Sequence, residues 1–130
     1  MIKTKCILHP IEYNDGTRIS VMSKHILNDG ETHRRIRASS YDFWFPVLAP
    51  PPMLARDYNE KDLPWEKFRE RYLWYLATKE PQSKVKELAK NGLTAVVTFL
   101  CIEESPEHCH RRLLAETCKK YQPNLYLEIK

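Results

Sequence analysis

The stretch Ala95-Val96-Val97-Thr98-Phe99-Leu100-Cys101 is a continuous apolar run, and Ile102-Glu103-Glu104-Ser105-Pro106 follows it. A segment of helical character then runs to about Tyr121, and Leu125 to Ile129 turns apolar again after Pro123. A short apolar run bounded by turn residues reads as a strand buried on both faces, and strand, helix, strand at this spacing reads as a right-handed βαβ crossover. The expected class is therefore α/β, a small open and mostly parallel sheet with flanking helices and this βαβ unit at its C-terminal end.

Working outward, Ile2, Thr4, Cys6 and Leu8 alternate with Lys3 and Lys5, and alternation resumes at Ile19 and Val21 after the turn Tyr13-Asn14-Asp15-Gly16. Two early strands are expected there. Residues 23–40 hold Asn28-Asp29-Gly30 without an apolar period and read as a long loop, a kind that is usually functional or mobile. Pro46 and Pro50-Pro51-Pro52 make Tyr41 to Leu54 read as an extended connector whose Trp44, Phe45 and Leu48 pack on the core. The same prolines also fit a ligand for a partner that reads polyproline. Trp65, Phe68, Tyr72, Tyr75 and Leu76 recur at helical steps and predict an amphipathic helix opened by Asp62 and Pro64. Thr78 to Pro81 is expected to break it before a shorter helix over Gln82 to Lys90, capped by Asn91-Gly92. The aromatic stripe reads as core rather than as a stacking surface.

The 130 residues suit one domain spanning the chain, and the 42% hydrophobic, 29% charged composition excludes global disorder. No apolar stretch approaches the roughly 20 residues of a membrane helix, and the N-terminus reaches Pro10 before a signal-peptide core develops, so a cytoplasmic protein with no membrane association is expected. A net charge of +4 spread among acids does not by itself call for nucleic acid. Cys6, Cys101, Cys109 and Cys118 read as thiols. They form no CxxC pair, and consecutive helical residues diverge by about 100°, so Cys109 and His110 are not expected to share a metal; no metal or other cofactor is expected.

The chemistry-bearing residues gather after the apolar run. Ser105 is the expected N-cap and Pro106 the first helical residue, which puts Cys109, His110 and Arg111 in the first two turns. His110, Leu114, Cys118 and Tyr121 then share the stripe facing the sheet, while His108 and Arg112 meet solvent. Cys101 ends the strand. Open parallel sheets bind ligands at this edge, where helix amides and the helix dipole favour anions, so a phosphate- or carboxylate-bearing ligand held by Arg111 and the helix start is expected. Cys109 beside a helix N-terminus and basic side chains is expected to have a lowered pKa, making it a candidate nucleophile or redox-sensitive thiol, the alternative being a small buried residue. His110 is a candidate general base or a hydrogen-bonded core histidine, and Glu103 or Glu104 a candidate carboxylate partner for it. Arg34, Arg35 and Arg37 beside His33 make the long loop locally basic, which fits a solvated loop or a contact to a nucleic-acid backbone.

Leu100-Cys101-Ile102-Glu103, Pro106-Glu107 and Cys109-His110-Arg111, followed by Leu113-Leu114-Ala115-Glu116, resemble the signature of domain-of-unknown-function family 488. Asp15-Gly16-Thr17-Arg18-Ile19, Met22-Ser23-Lys24-His25 and Leu27-Asn28-Asp29-Gly30 resemble the N-terminal signature of a short branch of that family, and Trp44, Pro46, Leu48-Ala49-Pro50, Tyr58, Trp65, Phe68 and Arg71-Tyr72 its central segment. The resemblance implies a small bacterial or archaeal α/β protein and leaves the reaction open. Many members carry an aspartate–arginine pair after the second strand. Met22-Ser23 stands there in this chain, and Lys24-His25 would supply the positive charge instead.

The expected site therefore joins Cys101, Glu103, Cys109, His110 and Arg111 to Ser23, Lys24, His25, Asn28 and Asp29 in one cleft. It fits binding of a small anionic ligand first. A nucleic-acid-binding protein using the basic loop and the helix start, and a non-catalytic interaction module, are the alternatives. Nothing in the sequence ranks the surfaces that could join two copies of the chain.

Overall fold

The computed structural model describes residues 1–26 and 30–130. Its strands are β1 (Ile2–Cys6), β2 (Thr17–Ser20), β3 (Phe43–Trp44), β4 (Val97–Cys101) and β5 (Leu127–Ile129), in the order β3-β2-β4-β1-β5. Every pairing is parallel, with Ile2 and Thr17 both opposite Val97 and Cys6 opposite Cys101. The helices are α1 (Pro52–Glu60), α2 (Trp65–Leu76), α3 (Lys79–Gly92) and α4 (His110–Tyr121).

Connection handedness explains the layering. The chain moves one way across the sheet from β1 to β2 to β3, and the opposite way from β3 to β4 and from β4 to β5. Right-handed crossovers put connections of opposite sense on opposite faces. The helices all belong to the second set and share one face, where Ile2, Ile19, Val97 and Phe99 pack with Leu54, Phe68, Tyr72, Val85, Leu88 and Leu114. The expectation of flanking helices is thus met on one side. The loops cover the other, around a small cluster of Ile7, Ile36 and Leu100.

That loop face holds a buried ionic group. Asp15 lies 3.2 Å from Lys5 Nζ and 2.5 Å from Arg18 Nη1, its backbone carbonyl accepts from Thr98 Oγ1 at 2.6 Å, and its carboxylate accepts the Glu12 N–H at 3.0 Å. Gly16 joins this turn to β2 at φ +64, and a Cβ there would lie 2.1 Å from Val96 O. Glycine is required at that close approach.

The two early strands, the Trp65 helix and the βαβ unit form as the sequence implies. Four local readings change. Pro51-Pro52 does not continue an extended connector: Pro52 opens α1, because the first turn of a helix has no use for the missing N–H. For the same reason Pro81 sits inside the first turn of α3, which begins at Lys79 rather than Gln82. Trp44 remains half-exposed and donates Nε1–H to Met22 O at 2.6 Å, whereas Leu48 is fully buried.

The fourth change is at α4. Ser105 Oγ accepts the Glu107 N–H at 3.2 Å, so the capping chemistry is used, but on a turn in which Cys109 N–H reaches Pro106 O at 3.3 Å. The helix begins at His110, and its N-cap is Cys109, with extended φ −131 and ψ 139.

Candidate functional site

The β1–β2 and β2–β3 connections leave on the loop face, while β4 feeds α4 on the helical face. Adjacent strands whose connections part in this way open a crevice at their carboxyl ends. At β2 and β4 that crevice is lined by Met22, Ser23 and Lys24 from one strand end and Cys101, Ile102 and Glu103 from the other, with His108 and His110 beyond. Tyr58 and Asn59 of α1 and Phe68 of α2 form the far wall. The cleft has a volume of about 180 Å³, smaller than a drug-sized ligand site.

His110 is held from both sides of its ring. Nε2 lies 2.8 Å from Val21 O, and since a carbonyl only accepts, Nε2 carries the proton. Nδ1 is left as a bare acceptor 3.8 Å from Cys101 Sγ, and Tyr72 meets the ring edge-on at 5.6 Å. His108 stacks on Trp65 at 4.8 Å. It lines the cleft rather than simply meeting solvent.

The thiol expected to be activated is not the one favoured. Cys109 is buried, and its S–H donates to Cys101; that hydrogen bond first and burial second push the Cys109 pKa up. The proximity of α4 does not reverse this, because Cys109 lies at the N-cap and faces inward. Cys101 is held below the usual thiol value by the Cys109 hydrogen bond, helped by the Glu103 and Ile102 amides and the Arg111 charge, against the opposing effect of burial. All four cysteines are free thiols.

Arg111 is fully buried and stands outside the cleft lining. Nη1 donates to Glu103 O at 2.6 Å and to Cys109 Sγ at 3.3 Å, Nη2 to Lys130 O at 3.0 Å and Glu104 O at 3.4 Å, and Nε to Lys130 O at 3.2 Å. It clamps the loop after β4 to the end of β5. The buried residues of α4 are Arg111, Leu113, Leu114, Ala115, Thr117 and Cys118, so the expected stripe is met at Leu114 and Cys118, while His110 and Tyr121 are only partly buried.

Of the other residues expected here, Ser23, Lys24, Cys101, Glu103 and His110 meet in the cleft. His25 turns into the loop wall: Nε2 is 2.7 Å from Ser20 Oγ, the ring packs on Tyr41 and Trp44 at 5.0 and 4.5 Å, and burial lowers its pKa. Asn28 and Asp29 lie outside the described residues. Tyr58 and Asn59 were hidden by the missed helix α1. Leu54 and Tyr58, four residues apart after a proline, were the available signal.

A metal was not expected because Cys109 and His110 are consecutive. That geometry holds only within a helix, and Cys109 is extended. Cys101 Sγ, Cys109 Sγ and His110 Nδ1 all lie within 4.8 Å of one another. Beyond β4's other edge, Cys6, His9 and Glu104 form a second such group, in which His9 Nε2 is 2.6 Å from Glu104 Oε1.

No helix among the described residues is long and apolar enough to cross a membrane. A family model described as "DUF488-N3a: Active DUF488-N3 subclade" matches residues 2–122. No curated protein matches the chain, and no solved structure matches it.

Proposed function

This chain belongs to the DUF488 family, and from that membership and the cleft at its sheet edge we propose that it binds a small anionic ligand, bearing phosphate or carboxylate, between the ends of β2 and β4. The observation that carries the reading is the meeting of Ser23 and Lys24 with Cys101, Glu103 and His110 where the two chain directions part. Lys24 supplies the mobile positive charge, Ser23 a hydroxyl donor, and the amino end of α4 an attractive dipole. Arg111 serves the ligand indirectly, by fixing the loop that carries Glu103. Cys101 and His110 face the ligand with sulfur and a bare ring nitrogen, and Cys109 backs them. His25 braces the Met22–Lys24 segment through Ser20.

Phosphate binding tests this reading. Thermal unfolding in phosphate, compared with chloride at equal ionic strength, should show a rise in Tm that Lys24→Ala removes; at a hundred times Kd the stabilisation is about 2.7 kcal/mol. Equal Tm values in the two salts would reject it. Duplex binding that collapses as salt rises and disappears with Arg34, Arg35 and Arg37 replaced by Ala, without phosphate protection, would establish the nucleic-acid alternative in its place.

A further inference from the structure

The floor of the cleft has more specific chemistry than a general anion site requires. Cys101 Sγ, Cys109 Sγ and His110 Nδ1 come from three separate pieces of geometry, the end of β4, the extended N-cap and the first residue of α4, yet they converge within 4.8 Å. Ligands of a tetrahedral zinc ion at about 2.3 Å for sulfur and 2.0–2.1 Å for nitrogen stand about 3.5–3.8 Å apart. Cys101 Sγ and His110 Nδ1 already stand at 3.8 Å.

The supporting contacts are those a metal ligand needs. A ligating histidine is usually oriented by donating its other N–H to a carbonyl or carboxylate. His110 does so to Val21 O, and Nδ1 is thereby fixed as the free lone pair. Arg111 Nη1 donates to Cys109 Sγ at 3.3 Å, which fixes the position of that sulfur beside the triad. Among the described residues, Arg111 is met by backbone carbonyls and the Cys109 sulfur, with no carboxylate in its hydrogen bonds.

We propose that Cys101, Cys109 and His110 form a binding site for a thiophilic divalent cation, zinc by its ligand set, with a fourth coordination position open to the β2–β4 cleft. Cys101 and His110 line the cleft and Cys109 stands behind them, so the unprotected side of the triad faces the solvent-filled space. As the two sulfur–metal bonds form, the protons still held by the thiols pass to solvent, while the imidazole contributes its lone pair without gaining or losing a proton. Two thiolates neutralise the cation, and Arg111 beside them leaves the centre one charge positive. An anion is the complementary fourth ligand. This last step rests on the anion-binding reading of the cleft, whereas the metal site itself does not.

The experiment is a cobalt titration of the full chain after chelation and reduction with a phosphine. One equivalent of Co²⁺ should produce thiolate-to-cobalt absorption in the near ultraviolet and the intense visible bands of a tetrahedral site, and Zn²⁺ should abolish both. His110→Ala and Cys109→Ser should weaken binding by more than the about 10–100-fold that loss of a supporting hydrogen bond costs. Cys118→Ser, remote between α3 and α4, and Cys6→Ser, from the second group, should leave the spectrum unchanged. No thiolate band in the wild-type chain overturns the proposal. So does a band that survives His110→Ala and disappears with Cys6→Ser.

Should Cys109→Ser unfold, alkylation of the wild-type chain read by peptide mapping decides: zinc must slow modification of Cys101 and Cys109, and equal rates with and without zinc refute the site. Phosphate protection is measured separately. If it is present without a cobalt band, the metal site fails and the cleft reading stands; a cobalt band without phosphate protection gives the reverse.

Discussion

Two buried polar centres flank the same sheet and meet the cost of burial in different ways. On the loop face, Asp15 is enclosed by Lys5, Arg18 and the Glu12 amide, so each main charge has an opposite partner. At the carboxyl end of β4, Arg111 is equally buried but is met by carbonyl dipoles and a sulfur. The first centre pairs its charges internally, although among the described residues Arg18 Nη2 is buried without a hydrogen-bond partner. The second has a bare imidazole nitrogen, two thiols and an open cleft. The contrast separates a polar network that pairs its own charges from one that borders an open cleft.

The largest expected effect breaks the closed centre. Asp15→Asn leaves Arg18 buried without its carboxylate and Lys5 with Glu12 alone, and should cost about 3–5 kcal/mol in urea unfolding, with phosphate protection retained if the chain still folds. Arg111→Ala should cost about 2–4 kcal/mol, because the carbonyls of Glu103, Glu104 and Lys130 lose buried donors. Unlike the Asp15 change, it should also loosen the loop carrying Glu103 and diminish phosphate protection. A variant that lost stability with protection intact would show that the clamp and the cleft are independent.

Acid separates the two centres more gently. Burial works to raise the Asp15 carboxyl, but the Glu12 amide, Lys5 and Arg18 outweigh it and hold the group below the usual carboxylate range. A depressed acid pKa stabilises the fold above the unfolded value and loses that contribution as pH falls through the folded one. The urea midpoint should therefore drop below about pH 4 in the wild type and much less in Asp15→Asn. A smaller decline should begin nearer 6.5, where His25, kept neutral by burial, would be protonated in the unfolded chain first. His25→Phe should remove that decline. The smallest effect on stability is expected from Lys24→Ala, which should leave the urea midpoint unchanged while abolishing phosphate protection.

How much was legible in the sequence follows from the range of the forces involved. The βαβ unit and the aromatic helix α2 rest on periodic burial, which local sequence records, and they were read correctly. So were the two strand ends that border the cleft. The start of α4 was misplaced because Ser105-Pro106 is a sound local start signal and Ser105 does cap a turn. Arg111, anchored to Lys130 and to the loop after β4, coincides instead with a helix start at His110, and those contacts have no local trace. The same displacement made Cys109 an extended N-cap and overturned the argument against a shared metal. Helix α1 was obscured by its own prolines, which mark an extended segment and a helix start equally well.

The proposed ligand site is the open centre, not the closed one. The most direct measurement is an amide-resolved NMR titration of the ¹⁵N-labelled chain with inorganic phosphate. The account predicts saturable shifts at Ser23, Lys24, Glu103 and His110, with Lys5, Asp15 and Arg18 unmoved. Shifts centred on Lys5, Asp15 and Arg18, or no saturable shift at Lys24 and His110, would contradict it.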